Sequence, residues 1–273
     1  MADDDAGQRS GRARERYAHG HHESVLRSHR WRTASNSAAY LLPHLGPGLD
    51  LLDVGCGPGT ITADLALAVA PGRVVGVDRS RDVLVKAAEL AVARDASNAV
   101  FEEADVYALP YADASFDVVH AHQVLHHLED PVAALREMRR VTRPGGVVAV
   151  READYRTTAW YPAAPGLDAW LGMLGTVVPQ TDAGRRLHAW ARAAGFRDVT
   201  PSVSTWCFTG AEEREWWGGL WAERVTTSSL ARRALEAGTA PADLERMAEA
   251  WRAWAADEDG WFAVVHGEVL ARR

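Results

Sequence analysis

The sequence predicts an α/β fold, a mostly parallel sheet with helices on both faces. Two observations carry that prediction. From Leu49 to about Asp154, short apolar runs alternate with runs of helical period, the pattern of strands joined by crossover helices. The first of these strands also ends in a glycine turn that opens a helix, LDLLDVGCGPGT over Leu49–Thr60. Gly55, Gly57 and Gly59 let the chain turn tightly and bring backbone N–H groups close to a ligand, where a Cβ would collide. The helix after them, Thr60–Ala70, presents an open N-terminus with unpaired N–H groups.

The remaining elements follow in order. Residues 1–14 are small and charged and read as a disordered tail. Val25–Arg32 and Ser35–Leu42 have helical character, the second ended by Pro43. Strand two, Arg73–Val77, ends in Asp78, and a helix follows over Ser80–Arg94 with Ser80 as its N-cap. Strand three, Ala99–Ala104, ends in Asp105. Phe116–His120 is strand four, Pro131–Thr142 a helix, and Val147–Arg151 strand five after a Pro144-Gly145-Gly146 turn. Beyond Asp154 come helices over 165–178 and 182–194, then a strand over 196–208 broken by Pro201. Helices over 211–226, 228–237 and 241–256 and a closing strand, 261–270, complete the chain. The prediction is one domain over 15–273. A helical cap occupies 15–48, a ligand-binding core 49–154 and an acceptor-side part 155–273, with a helical insertion at about 211–257.

Bulk properties narrow the function classes. With 273 residues and 47% hydrophobic content the chain can bury a sizeable core. A net charge of −7 argues against broad phosphate binding, so no nucleic-acid partner is expected. No apolar run is long enough for a membrane span. The start lacks the apolar centre of a signal peptide, and the only cysteines are Cys56 and Cys207, so a reducing cytoplasm is the expected location. The His-Gly-His-His group at 19–22 has no usual metal-ligand spacing, so no metal is expected.

The loop D-V-G-C-G-P-G-T departs from two phosphate-binding fingerprints. A dinucleotide loop would carry glycine where Thr60 stands, and a phosphate loop would need a lysine that is absent. The corner therefore suits a nucleoside without a pyrophosphate. Asp78 at the tip of strand two can accept hydrogen bonds from both ribose hydroxyls, and Asp105 at the tip of strand three from an adenine amino group. The plain alternatives are turn glycines, a small cysteine in a tight loop, and aspartates acting as caps.

LLDVGCGPGT, VVGVD, EEADVYALPYADASFDVV, HQVLHHL and LREMRRVTRPGGVVAV together resemble the successive motifs of class I S-adenosylmethionine-dependent methyltransferases. Within them the likeness is greatest to the ubiquinone/menaquinone-biosynthesis C-methyltransferases and their small-molecule relatives. It covers 49–154 well and the rest in outline. The resemblance implies a Rossmann-like seven-stranded sheet with the last strand antiparallel. It also implies S-adenosylmethionine as cofactor, its methionine part on Gly55, Cys56 and Gly57 with Gly59 completing the turn. Asp53 would hold the loop and the cofactor's amino group, and Asp78 the ribose, with Arg79 flanking the adenine. Asp105 and the backbone of Val106, with Ala104 beside them, would meet the adenine edge. His122 and Gln123 would line the methyl-donor end, and Tyr17 with the cap behind it would close over the cofactor.

Methyl transfer from a sulfonium needs alignment and exclusion of water rather than a metal. Where the acceptor must also lose a proton, His21, His22, His122, His126 and His188 are candidates, with His122 and His126 nominated as catalytic. All 11 tryptophans except Trp31 lie beyond residue 150. Helix-to-sheet packing accounts for most of them, and a few are expected to line a large apolar acceptor pocket. The predicted activity is methylation of a small, largely apolar acceptor, with carbon favoured over oxygen or nitrogen, in secondary metabolism or quinone-type biosynthesis. Methylation of protein or nucleic acid, a non-catalytic cofactor-binding partner protein, and a homo-oligomeric state stay open. A nicotinamide oxidoreductase is disfavoured by Thr60.

Overall fold

The computed structural model describes residues 31–273. The predicted tail, Tyr17, the histidines at 19–22 and most of the predicted helical turn 25–32 lie outside the described residues. Five parallel strands form the centre of the sheet: β1 (Leu51–Val54), β2 (Val74–Asp78), β3 (Ala99–Glu103), β4 (Phe116–His122) and β5 (Thr142–Ala153). Three antiparallel partners complete it: β6 (Ala159–Tyr161), β7 (Asp198–Phe208) and β8 (Trp261–Arg272). The order is β3-β2-β1-β4-β5-β8, with β7 on the far edge of β8. Three-residue β6 continues the line of β5 along β8, which adds one short strand to the predicted seven.

The helices are α1 (Thr60–Val69), α2 (Arg81–Ala93), α3 (Pro131–Val141), α4 (Pro165–Val177), α5 (Ala183–Ala193), α6 (Ala211–Thr227), α7 (Ser229–Glu236) and α8 (Pro241–Ala256). Strand alternation sorts the core. Leu52, Val54, Val75, Val77, Val119 and Val150 face α3 and α5 through Leu135, Met138 and Leu187. Leu51, Val74, Val118 and Ala149 face α1 and the capping segment through Leu65, Val69 and Leu41. A third cluster holds Trp170, Trp217, Trp221, Trp251 and Trp254 from α4, α6 and α8, packed on Trp206, Phe208 and Phe262 of β7 and β8. Among the described residues no helix is long and apolar enough to cross a membrane.

Local departures from expectation have identifiable causes. Pro43 sits inside a 3-10 turn, Leu42–His44, rather than ending a helix, because the helical turn before it stops at Ser37. The Thr33 side chain caps that turn, accepting from Asn36 N–H. Pro201 does not break its strand. Among the described strands β7 pairs only with β8, and an edge strand tolerates a residue without an N–H. Pro144-Gly145-Gly146 lies within β5, where the register against β4 shifts between Phe116 and Val118. Ser80 occupies the N-cap of α2 without a side-chain cap bond, and its own N–H donates to Asp78 Oδ1.

Candidate active site

The carboxyl ends of β1, β2, β3 and β4 open onto one cleft of about 880 Å³, in the upper part of the usual range for ligand sites, ~300–1,000 Å³. Gly55, Cys56 and Gly57 line it from the first turn, and Asp53 from the strand beneath. Asp78 and Arg79 line it from the tip of β2, and Ala104, Asp105 and Val106 from the tip of β3. His122 and Gln123 close its inner end.

The turn is held from below. Asp53 is 3% exposed. Its carboxylate accepts from Thr62 Oγ1 at 2.5 Å and pairs with His120 Nδ1 at 2.7 Å. That ties β1 to α1 and β4 and leaves the loop above a fixed floor. Gly55 has φ +66, and a Cβ there would meet Val124 Cγ2 at 2.4 Å, so any side chain must push the loop after β4 away. α1 begins at Thr60 with no side-chain cap bond at Gly59, and Thr60 and Ile61 line the cleft, so a helix N-terminus opens there. Asp78 Oδ2 accepts from Gly57 N–H at 3.2 Å, so the two strand tips meet within the site. Burial pushes the Cys56 thiol up, with Asp53 and Asp78 adding to the shift, which makes it a small neutral residue of the turn rather than a nucleophile.

Two nominated residues do not belong to the cleft. Gly59 faces the sheet: a Cβ would meet Ala87 Cβ at 2.8 Å and the Phe101 ring at 3.2 Å, so it is a helix-packing glycine. His126 is 1% exposed and its Nδ1 lies 2.6 Å from Glu152 Oε2. It braces the 3-10 turn Leu125–His127 and is not among the residues lining the cleft. His188 is exposed on α5, away from the cleft. His21, His22 and Tyr17 lie outside the described residues.

A family model for a methyltransferase domain matches residues 45–195. The uncharacterized methyltransferase C1B3.06c of Schizosaccharomyces pombe is 37% identical over 94% of this chain and 96% of its own. The probable methyltransferase ltbC of Aspergillus luteorubrus is 33% identical over 93% of this chain and 96% of its own. The chain belongs to the S-adenosylmethionine-dependent methyltransferases. Among solved structures, the cyclase SpnF is 26% identical with a TM-score of 0.53, over 92% of this chain and 81% of its own. A Bacillus halodurans protein, BH2331, described as a candidate methyltransferase, shares the fold at 16% identity and a TM-score of 0.55, over 86% of this chain and 97% of its own.

The site of this methyltransferase suits that cofactor by the chemistry of its groups. Two carboxylates at adjoining strand tips offer acceptors for a nucleoside, and an open helix N-terminus beside a glycine turn offers donors. The inner end is different in kind. His122 is 6% exposed and neither ring nitrogen has a hydrogen-bond partner among the described residues. Burial first, then Arg32 and Arg151, holds it well below the usual histidine range. His266 of β8 is lowered by burial, Arg151 and Arg32. Arg151 is itself drawn down to about 10 by burial and stays charged, bonded through Nε to Ser204 Oγ and lying 4.9 Å from the Trp206 ring centre. Because both imidazoles fold neutral, the unfolded chain binds more protons below the ordinary histidine value. Stability is therefore expected to fall as pH drops below about 6.5, by up to about 1.4 kcal/mol per pH unit for each ring. Denaturation midpoints measured from pH 8 to pH 5 check this. The slope should shrink in His266→Gln.

Several site residues left little trace in the sequence. Gln123 has φ +54, uncommon for a residue with a side chain, and it is pinned on three sides. Its N–H donates to the Arg151 carbonyl at 2.9 Å, its Oε1 accepts from Arg32 Nη2 at 2.7 Å, and its Nε2 lies 2.9 Å from His266 Nε2. Arg32 and His266 stand far from the glycine turn in sequence, and no local motif marks them. Charged residues inside apolar strands, Arg151-Glu152 in β5 and His266 and Glu268 in β8, were the available signal, since doubly covered strands rarely hold them. The tryptophans behave mainly as packing. The large cleft has no tryptophan in its wall. The cavity they enclose is about 20 Å³, lined by Trp170, Trp206, Trp217, Trp221, Phe262 and His266 among others. In place of a large tryptophan-lined pocket, the described helices α4, α6 and α8 interlock their indoles edge to face, with Trp170 5.0 Å from Trp251 and 4.8 Å from Trp221.

Proposed function

We propose that this methyltransferase methylates a small, largely apolar acceptor, with carbon as the favoured atom, and that it works in the cytoplasm on secondary or quinone-type metabolites. The observation that carries the proposal is the shape of one cleft. Its outer half is lined by carboxylates and a glycine turn, and its inner end by the neutral His122 imidazole, the Gln123 amide and the apolar Val124 and Leu128, with Arg32 beside them. In this proposal residues 49–154 hold S-adenosylmethionine and residues 155–273 shape the acceptor side. Gly55–Gly57 and Asp53 take the methionine part. Asp78 takes the ribose hydroxyls, and Arg79, Ala104, Asp105 and Val106 surround the adenine. When bound, that cofactor supplies an electrophilic methyl group. The chain's own contribution is alignment and a dry inner end. A methyltransferase homologue that acts on carbon is among the relatives, the ubiquinone/menaquinone biosynthesis C-methyltransferase UbiE of Bdellovibrio bacteriovorus, 42% identical over 38% of this chain and 44% of its own.

His122 is the proton acceptor of this scheme. A neutral imidazole with two unfilled nitrogens at the inner end can take the proton that an acceptor loses. Its depressed basicity keeps it in the accepting form across the physiological range. Turnover should therefore stay level from pH 8 to below 6.5 and fall only in more acid solution. Incubation with labelled S-adenosylmethionine and a panel of acceptors tests the whole reading. Apolar phenols and enols are expected to gain label, and His122→Asn should lower their kcat about a hundredfold. Preference for amines, for highly charged acceptors, for protein or for oligonucleotides would overturn it. Binding of S-adenosylhomocysteine with no turnover on any acceptor would favour a partner protein instead.

A further inference from the structure

Arg32 and Gln123 belong to the walls of both cavities, the large cleft and the small tryptophan chamber behind it. Their hydrogen bond, 2.7 Å long, belongs to the wall the two cavities share. Its direction is fixed. Arginine can only donate, so Gln123 turns Oε1 to Arg32 and its NH₂ to His266, whose Nε2 must accept. The His266 proton then sits on Nδ1.

The chamber beyond offers donors. Trp170 and Trp217, both in its wall, are 1% and 6% exposed, and neither indole N–H meets an acceptor among the described residues. An indole nitrogen can only donate, so a buried one without a partner asks for an oxygen or another lone pair. No Asp or Glu is among the residues lining the chamber, which therefore supplies no carboxylate of its own. At about 20 Å³ the chamber admits one water-sized group and excludes a ring.

We propose that the chamber is an oxygen subsite for the methyl acceptor. One carbonyl or hydroxyl oxygen of the acceptor enters the chamber beside the Arg32–Gln123 pair and takes the N–H groups of Trp170 and Trp217. The acceptor's apolar body stays in the inner cleft. This rests on the proposed methylation site and narrows its substrate to oxygen-bearing skeletons, setting aside pure hydrocarbons. Trp170 and Trp217 are specificity-determining residues under this assignment, although they lie outside the cleft itself.

The test uses two probes of one shape on the full chain loaded with S-adenosylhomocysteine: 1-tetralone, which carries a carbonyl, and tetralin, which does not. Tetralin is the more readily driven out of water, so plain apolar packing favours it. Quenching of tryptophan fluorescence should show 1-tetralone binding at least tenfold tighter. Each of Trp170→Phe and Trp217→Phe should cut that preference about fivefold, the worth of one hydrogen bond. Equal affinities, tighter tetralin, no binding of either probe, or an unchanged preference in both variants would overturn the assignment and leave the chamber to a trapped water. The wild-type comparison decides the matter even where a variant fails to fold. Failure to bind S-adenosylhomocysteine would be a different result, striking the methylation reading itself.

Discussion

Asp78→Ala is expected to weaken S-adenosylhomocysteine binding on the order of a thousandfold. A hydrogen bond to a charged group contributes about 1.5–3 kcal/mol, and a carboxylate that takes both ribose hydroxyls makes two of them. Each factor of ten in Kd corresponds to about 1.4 kcal/mol, which sets the scale. The position supports a large effect. Asp78 ends a strand of the central sheet, and its two oxygens already accept from Gly57 and Ser80 N–H at 3.2 and 3.0 Å. The carboxylate is thus oriented before any ligand arrives, and its removal also frees the glycine turn. Asp78→Asn keeps one acceptor oxygen and should fall between wild type and alanine. Titration calorimetry provides the measurement, with circular dichroism to confirm the fold. A loss below tenfold in the alanine variant would remove Asp78 from the ribose site, and tight NAD binding in the same cleft would replace the cofactor altogether.

Glu152→Ala is expected to cost about 3–5 kcal/mol of stability, the scale for stripping the partner from buried charge-assisted contacts. Glu152 is completely buried on β5. Its carboxylate accepts from the N–H groups of Val124 and Leu125 at 2.8 and 2.6 Å and from His126 N–H at 3.4 Å, with His126 Nδ1 at 2.6 Å. One side chain thus satisfies the N-terminal end of the Leu125–His127 turn, which no cap residue serves. Without it, three N–H donors, two of them buried, lose their acceptor at once. Val124 and Gln123 begin the same loop, so the inner end of the cleft loosens with it. Urea unfolding followed by circular dichroism should show the midpoint falling steeply in Glu152→Ala and less in Glu152→Gln, which keeps an acceptor oxygen. A change under 1 kcal/mol in the alanine variant would show that water or another group takes over the turn.

The legible part of the site is the part built from neighbours in sequence. Strand, glycine turn and helix follow one another in Leu49–Thr60, and Asp78 and Asp105 each follow the last residues of a strand, so their meeting is a consequence of parallel strands ending at one edge. Gly59 and His126 went astray for a shared reason. A motif gives position along the chain, but the side a residue faces depends on what packs there, and Ala87 and Glu152 packed there. Pro201 was misjudged because a proline's cost depends on whether its strand is central or at an edge, and β7 has β8 on one side only among the described strands.

By itself the sequence determined the α/β architecture, the placing of the long strands and helices, and the corner where the glycine turn, Asp78 and Asp105 meet. Each depends on periodicity, on turn chemistry or on residues a few positions apart. Tertiary structure alone decided the inner end: Arg32 bonded to Gln123, Gln123 to His266, His122 without a hydrogen-bond partner among the described residues, and the tryptophans locked into a core around one small chamber. Those contacts join the capping segment, β4 and β8 across long loops. Their energies come from burial and geometry, which chain order does not encode.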